Sequence, residues 1–432
     1  MERLNYFSPY QSKGAWHEDQ LTRAFLVVVR MVPLALVSLL DLIREQQAIR
    51  GSESRIPTSS EMLTREVEIQ TQKNSILQTT GRLVSVVMTD EEWKPQHDVV
   101  PSDRGARYDG ILAFDPEWII VIENKPSSRD IWEGQVCPNL PESHDIQIDK
   151  IAVVLRWRSI IERLSALMSA NVFHGAEMMI VDDFLQFVDE EFPYLNPYNT
   201  FGQCKNLELV LQRRCRNILE TVAPGRVEWQ PKWGTSYILL NHPAPAKMCA
   251  LYPRMAEGGG IGQIEAAIYP GDTMAQARAL YAHLRGDNAS RLLALRDRGW
   301  RIEPNFHFGF IRSGFGRVAN AKLSLEEYIR YWTDHPIQQA SLAEQTFEAV
   351  LQDLTKAGMI GESDIDKIIS ALPSATARNV NIIPGIEMVF AWPLSKAVEI
   401  DKRGQMAEEF KRTMNEALVA CGCEPFGLVR PD

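Results

Sequence analysis

Several things are scarce in this sequence, and each scarcity closes a class of protein. Six cysteines (Cys137, Cys204, Cys215, Cys249, Cys421 and Cys423) are scattered over 432 residues without a framework spacing. A disulfide-stapled secreted scaffold is excluded on that pattern, and a reducing cytosol is the expected compartment. Excess positive charge is missing too: 46 Lys and Arg against 56 Asp and Glu give a formal net charge of −10. That balance argues against non-specific coating of nucleic acid, although a local basic groove needs only a few cations. The opening stretch, MERLNYFSPYQSKGAWHEDQ, is polar and does not read as a signal peptide. No HExxH metal motif and no Gly-x-Ser-x-Gly elbow occurs. Cys421-x-Cys423 has no partner pair at zinc spacing. The glycine run Gly258-Gly259-Gly260-Ile261-Gly262 is not followed by Gly-Lys-Ser/Thr, so it predicts a hairpin turn rather than a phosphate cradle. One long apolar run exists, Ala24 to Leu40, but it carries Arg30 and a central Pro33. Both are costly at mid-membrane, so the run reads as core helix, split or kinked at the proline.

What is present is enough hydrophobic material, 45% of 432 residues, for two or three globular domains. The most informative stretch is RYDGILAFDPEWIIVIENK, Arg107 to Lys125. Two short apolar runs flank Asp115, Pro116 and Glu117, which predicts a β-hairpin. Centred on Pro116, such a hairpin sets Phe114 against Trp118 and, counting outward, Asp109 against Glu123. Lys125 then shares the face of Glu123, while Asn124 points away. Both faces of the hairpin are apolar, so it belongs inside a covered sheet. Two acids opposed in such a place repel and lose hydration, and a divalent cation would compensate them, with Lys125 adding positive charge.

An Asp, a spacer and a Glu-x-Lys closing an apolar strand resemble the PD-(D/E)xK nuclease superfamily, over the N-terminal half of the chain. The resemblance implies a metal-dependent nuclease, endo- or exonucleolytic, that hydrolyses phosphodiester bonds of DNA. It implies Mg²⁺ or Mn²⁺ held by Asp109, Glu123 and the backbone carbonyl of Asn124, and a Lys125 that orients or deprotonates water or binds a phosphate oxygen. By the same resemblance, Glu18 on a preceding helix completes the metal site through a water, and Gln135 on a following helix contributes. The plainer reading of Glu18 is a first-turn acid complementing the helix dipole. Asp103 is a second candidate for the first acid. Arg104 and Arg107 are candidate phosphate contacts, or ordinary loop arginines.

The implied fold is α/β: residues 1–224 form a restriction-endonuclease-like αβα core with a central mixed sheet, and residues 225–432 a separate α+β domain, with the boundary at Pro224-Gly225. Within the first part the pattern predicts a helix pair from Trp16 to about Gln47 and a strand over Arg82–Met88. It also predicts one amphipathic helix over Asp145–Ser169, a strand at Glu177–Val181, a helix at Asp182–Phe192 and a helix at Cys204–Val222. Arg213, Arg214 and Arg216 make the densest basic cluster and are either a solvated face or a nucleic-acid contact. In the second part, Trp300, Phe306, His307, Phe308 and Phe310 either stack bases or pack a core. The second domain is assigned recognition, oligomerisation or regulation. A nuclease core joined to such a domain suits defence against foreign DNA, an association from architecture alone. Two other readings stay open: a nuclease-like fold that binds nucleic acid or a protein without cutting, and an unrelated protein in which Glu123 and Lys125 are a plain strand-end ion pair.

Overall fold

The computed structural model describes residues 7, 17–51, 55–95, 98–100, 107–115, 117–128, 130–138, 140–141, 143–205, 207–230, 234–240, 245–310, 314–316, 321–337, 339–370 and 379–427. The candidates Asp103 and Arg104, and Pro116 of the hairpin turn, lie outside the described residues. The chain divides into two compact units, one of residues 4–199 and one built mainly of residues 200–432. The division falls at Asn199 and Thr200, ahead of Pro224-Gly225, because the helix before that dipeptide packs on strands of the second unit.

The first unit begins with α1 (His17–Met31) and α2 (Pro33–Ile49), bent by 112° at the break. Pro33 stands at the first position of α2, where its missing N–H is harmless, and so it starts a helix instead of interrupting one. Leu21, Phe25, Val28 and Val29 recur at helical spacing and are buried. No single helix among the described residues is long and apolar enough to cross a membrane. A short α3 (Ser59–Met62) precedes β1 (Val67–Lys73) and β2 (Thr80–Met88), then β3 (Val99–Val100), β4 (Tyr108–Phe114), β5 (Trp118–Asn124) and β6 (Ile131–Trp132). After the single turn α4 (Glu133–Val136) come β7 (Asp145–Ile148), β8 (Val153–Leu155), α5 (Trp157–Ser169) and α6 (Ala176–Glu191).

The main sheet runs β1-β4-β5-β2-β7, with β8 also on β2, and it is mixed. β1, β4 and β5 pair antiparallel, whereas β5, β7 and β8 all run parallel to β2. The hairpin register is the expected one, from Phe114 opposite Trp118 to Gly110 opposite Ile122. Helices α1, α2, α5 and α6 contact one another in one layer. α1 comes close to the sheet at Gly110, where a Cβ would come within 2.8 Å of a Leu26 methyl. Ile111, Ile119, Val121 and Leu83 pack with Ile76 and Leu140 in a separate cluster. Besides these four long helices, the short α4 packs on β2 and β5, with Val136 in a cluster with Val87 and Ile131.

Two elements differ from expectation. Asp145–Ser169 is not one helix: its first half is β7 and β8, because Ile146, Ile148 and Val153 meet the free edge of β2. The apparent helical stripe there included Ile151, which is exposed between the strands. Glu177–Val181 is not a strand but the start of α6, and its Met178 and Met179 face solvent while Val181, Phe184 and Val188 are buried. At β7 and β8 tertiary pairing, not local pattern, decided the outcome.

The second unit opens with a 3₁₀ turn over Phe201–Cys204 and a left-handed Lys205 (φ 50°), so the helix expected over Cys204–Val222 starts later, as α7 (Glu208–Val222). Strands β9 (Val227–Gln230), β10 (Thr235–Leu239), β11 (Met248–Met255) and β12 (Ile261–Ile268) follow, then α8 (Met274–His283) and α9 (Asp287–Leu293). Next come β13 (Trp300–Phe310), β14 (Gly314–Gly316), α10 (Leu325–Asp334), β15 (Gln339–Ser341), α11 (Glu344–Lys356), α12 (Glu362–Ser370) and β16 (Asn379–Pro393), closed by α13 (Leu394–Lys402) and α14 (Met406–Cys421). Their sheet is antiparallel throughout, ordered β14-β13-β16-β12-β11-β10-β9, with β15 on β16. The glycine run makes the turn from β11 to β12, with Gly259 and Gly260 at positive φ. Phe306 and Phe308 are fully buried, Phe306 stacked on Trp332 with ring centres 5.9 Å apart, so these aromatics are core and not a base-stacking surface. Arg214 of the basic cluster is engaged by Asp401.

Candidate functional site

The site grows from the place where the β4–β5 ladder stops. The last backbone pair is Gly110 with Ile122. One step further, Asp109 Oδ2 accepts the backbone N–H of Asn124 at 2.8 Å, so a side chain takes over where the ladder ends. Lys125 N–H donates to the Met88 carbonyl at 3.0 Å, holding this strand end to the end of the parallel β2. The carboxylates therefore stand at the carboxyl ends of parallel strands, where open α/β sheets place their ligands.

Glu123 is 2% exposed. Its Oε1 accepts from Gln135 Nε2 at 2.6 Å and lies 3.6 Å from Lys125 Nζ, while its Oε2 is buried with no hydrogen-bond partner. Gln135 is itself fixed, its Oε1 accepting the Trp132 N–H at 2.9 Å across the single turn of α4. Lys125 Nζ also reaches Glu18 Oε2 at 3.5 Å. Asn124 points to the other side of β5, as alternation requires. There its amide donates to the Glu18 carbonyl at 3.1 Å and accepts from Trp157 Nε1 at 2.8 Å. One strand end is thus fastened to the first turn of α1 and to the start of α5. All six residues expected from the sequence (Glu18, Asp109, Glu123, Asn124, Lys125 and Gln135) join one bonded cluster.

Burial sets the electrostatics. Loss of hydration, reinforced by the facing Asp109, pushes the Glu123 carboxyl well above its ordinary range, against the opposing pull of Lys125. Asp109 is raised by burial, with the Asn124 N–H and Lys125 opposing. For Lys125, burial favours the neutral amine, but Glu123, Glu18 and Asp109 together prevail and hold it above its ordinary value as a cation. Two acids that resist ionisation beside an oxygen without a partner make a place short of positive charge.

Residues not foreseen complete the surroundings. Gln72, opposite Asp109 by the flanking pairs of β1 and β4, has a left-handed φ of 55°. Its amide donates both to Asp109 Oδ1 at 3.2 Å and to Asp19 Oδ1 at 3.1 Å. A non-glycine residue there is strained, and such strain gathers at functional sites. The sequence leaves Arg65–Gln78 ambiguous between strand and helix and carries no sign of that twist. Tyr194, 44% exposed, hydrogen-bonds Ser127 and lies in the field of Glu18. Arg158 pairs with Asp90 and donates to the Tyr194 carbonyl, and Arg163 pairs with Glu45, so neither is a spare cation. Arg107 is exposed beside β4.

The donor set fits a hard divalent cation in kind: Asp109, the orphaned Glu123 Oε2 and the Asn124 carbonyl are all oxygens. Among the described residues no group of three or more His, Cys, Asp or Glu side chains is close enough to hold a metal. Two carboxylates are therefore what the side chains offer, with backbone and water for the rest. Compared with known proteins, the chain matches no family model, no curated protein and no solved structure.

Proposed function

We propose that the first unit is a metal-dependent nuclease of the PD-(D/E)xK kind, hydrolysing phosphodiester bonds of DNA. The observation that carries this reading is the buried Glu123 carboxylate with one oxygen unpartnered, facing Asp109 and adjoined by Lys125.

Mg²⁺ or Mn²⁺, held by Asp109, Glu123 and the Asn124 carbonyl, would neutralise charge on the phosphate and make water a better nucleophile. The chain's own groups do the rest. Lys125, kept protonated by its three acidic neighbours, is a donor and holds a non-bridging phosphate oxygen at Nζ. Glu18 Oε2, on a side chain 40% exposed and turned to Lys125, accepts the proton that the attacking water loses. Gln135 keeps Glu123 Oε1 occupied, so that Oε2 is the oxygen left to coordinate. The Asn124 amide anchors α1 to the strand end and so fixes the approach of Glu18.

The test is incubation of the purified chain with plasmid, linear and single-stranded DNA and with RNA, in Mg²⁺, Mn²⁺ or EDTA. Cutting that needs metal and is abolished by Lys125→Ala supports the proposal; clean protein that cuts nothing in any metal overturns it. A second reading, a nuclease-like fold that binds nucleic acid or a protein without cutting, draws on the lack of a third metal-ligating side chain among the described residues. Calorimetric titration with Mn²⁺, with and without Glu123→Ala, separates the two, since a binding module shows no Glu123-dependent heat.

A further inference from the structure

The second unit holds a cavity that the proposed chemistry does not use. Its volume is about 500 Å³, within the range of roughly 300–1,000 Å³ in which small-molecule sites fall. It lies where the first turns of α7 pass β10 and β11, and Tyr237, Tyr252 and Tyr269 line it together with Gln212, Thr235 and Arg254. The hydrogen-bond donors of this lining are largely spent within the protein. Tyr237 O–H donates to Glu228 Oε2 at 2.8 Å. The Tyr252 hydroxyl bonds the buried Glu265 and Tyr269. Gln212 Nε2 donates to Glu208 at 3.3 Å. Glu208 and Gln212 bring acceptor oxygens to the lining, whereas Thr235 Oγ1, a donor as well as an acceptor, is buried without a partner. Arg254 is exposed and supplies a cation at one side.

An occupant suited to this lining has a flat face for the tyrosines, N–H groups for the oxygens of Glu208 and Gln212, and a negative group for Arg254. A polyamine lacks the anion, and inorganic phosphate lacks the ring. We propose that the cavity binds a nucleoside phosphate, the base among the three tyrosines and the phosphate at Arg254. A free nucleotide and the terminal nucleotide of a single strand share that chemistry. The inference concerns binding by the second unit and stands apart from the nuclease reading.

Calorimetry on the full chain carrying Glu123→Gln, in EDTA, tests it without cleavage. The probes are AMP, UMP, adenosine, pyrophosphate, spermidine and a short single-stranded DNA. A mononucleotide is expected to saturate the protein, with adenosine about tenfold weaker than AMP. Arg254→Glu, at an exposed position, should erase the difference between AMP and adenosine. Ala250→Trp, which fills the cavity from its floor, should remove both, provided its melting curve shows that it folds; if it does not, Arg254→Glu carries the test. Saturable binding of the single strand alone, weakened by Arg254→Glu, assigns the site to strand ends. No saturable binding of nucleotide or strand below about 1 mM overturns the proposal. So does pyrophosphate or spermidine binding as tightly as AMP.

Discussion

Each unit of this protein buries a carboxylate beside a cation, and the two pairs are built differently. Asp401, whose side chain is fully buried, receives Arg214 through two bonds of 2.6 and 3.0 Å and the Phe201 N–H at 2.7 Å. Both of its oxygens are engaged by a planar fork made for the purpose. Glu123 receives one amide bond and a lysine at 3.6 Å, and its second oxygen has nothing. The first arrangement ties α7, α13 and the Phe201 turn together and leaves no valence over. The second leaves a valence over beside a second acid, where a cation from solution would repair it. Buried charge alone does not mark a site; here an unpartnered oxygen stands together with a second acid and a lysine.

The comparison can be broken most directly at the two cations. Lys125→Ala should lower metal-dependent cleavage by about a hundredfold to a thousandfold while leaving the melting temperature near that of the parent. Arg214→Ala should do the reverse. Stripping the partner from a fully buried Asp401 costs about 3–5 kcal/mol, read as a loss of urea midpoint, with activity per folded molecule retained. Equal effects of both changes on stability would erase the distinction.

A third expectation concerns pH. Because burial raises the Glu123 and Asp109 carboxyls, the metal-free native state binds their protons more tightly than the unfolded chain does. Their contribution is complete below the ordinary carboxylate range and is lost as pH rises through the raised native values. Melting in EDTA should therefore fall as pH rises above the ordinary carboxylate range, and added Mn²⁺ should restore it. Glu123→Gln should flatten that slope and raise the melting temperature at neutral pH by about 2–4 °C for each kcal/mol relieved. A lower melting temperature for this variant in EDTA would mean that Glu123 is a stabilising ion pair after all. The smallest effect is expected from Gln135→Ala: about a tenfold loss of metal affinity, measured by calorimetry, from freeing Oε1 to compete with Oε2.

The legible part of the structure was local. The hairpin register could be counted outward from its turn because a strand's period is two, and that count alone opposes Asp109 to Glu123. Glu18 and Gln135 were reached through resemblance, and they join Lys125 and Glu123 across elements that no local period connects. The stretch from Asp145 to Leu155 misled because two short strands on the edge of β2 and a helical stripe select nearly the same apolar positions. Gln72 was invisible, since its role depends on one dihedral and on partners at Asp19 and Asp109, residues distant in sequence. The same limit hid the Arg214–Asp401 pair, whose members lie on α7 and α13.

Gln72 carries one more implication. A backbone in the left-handed region favours glycine, and a Gln72→Gly chain would relax there. Glycine, however, would leave Asp19 and Asp109 without the amide that now stands between them. The position sets comfort of the main chain against order among the acids, and the residue found there takes the side of the acids. A variant selected only for thermal endurance would be expected to drift toward glycine at this point and to blunt the site as it did so.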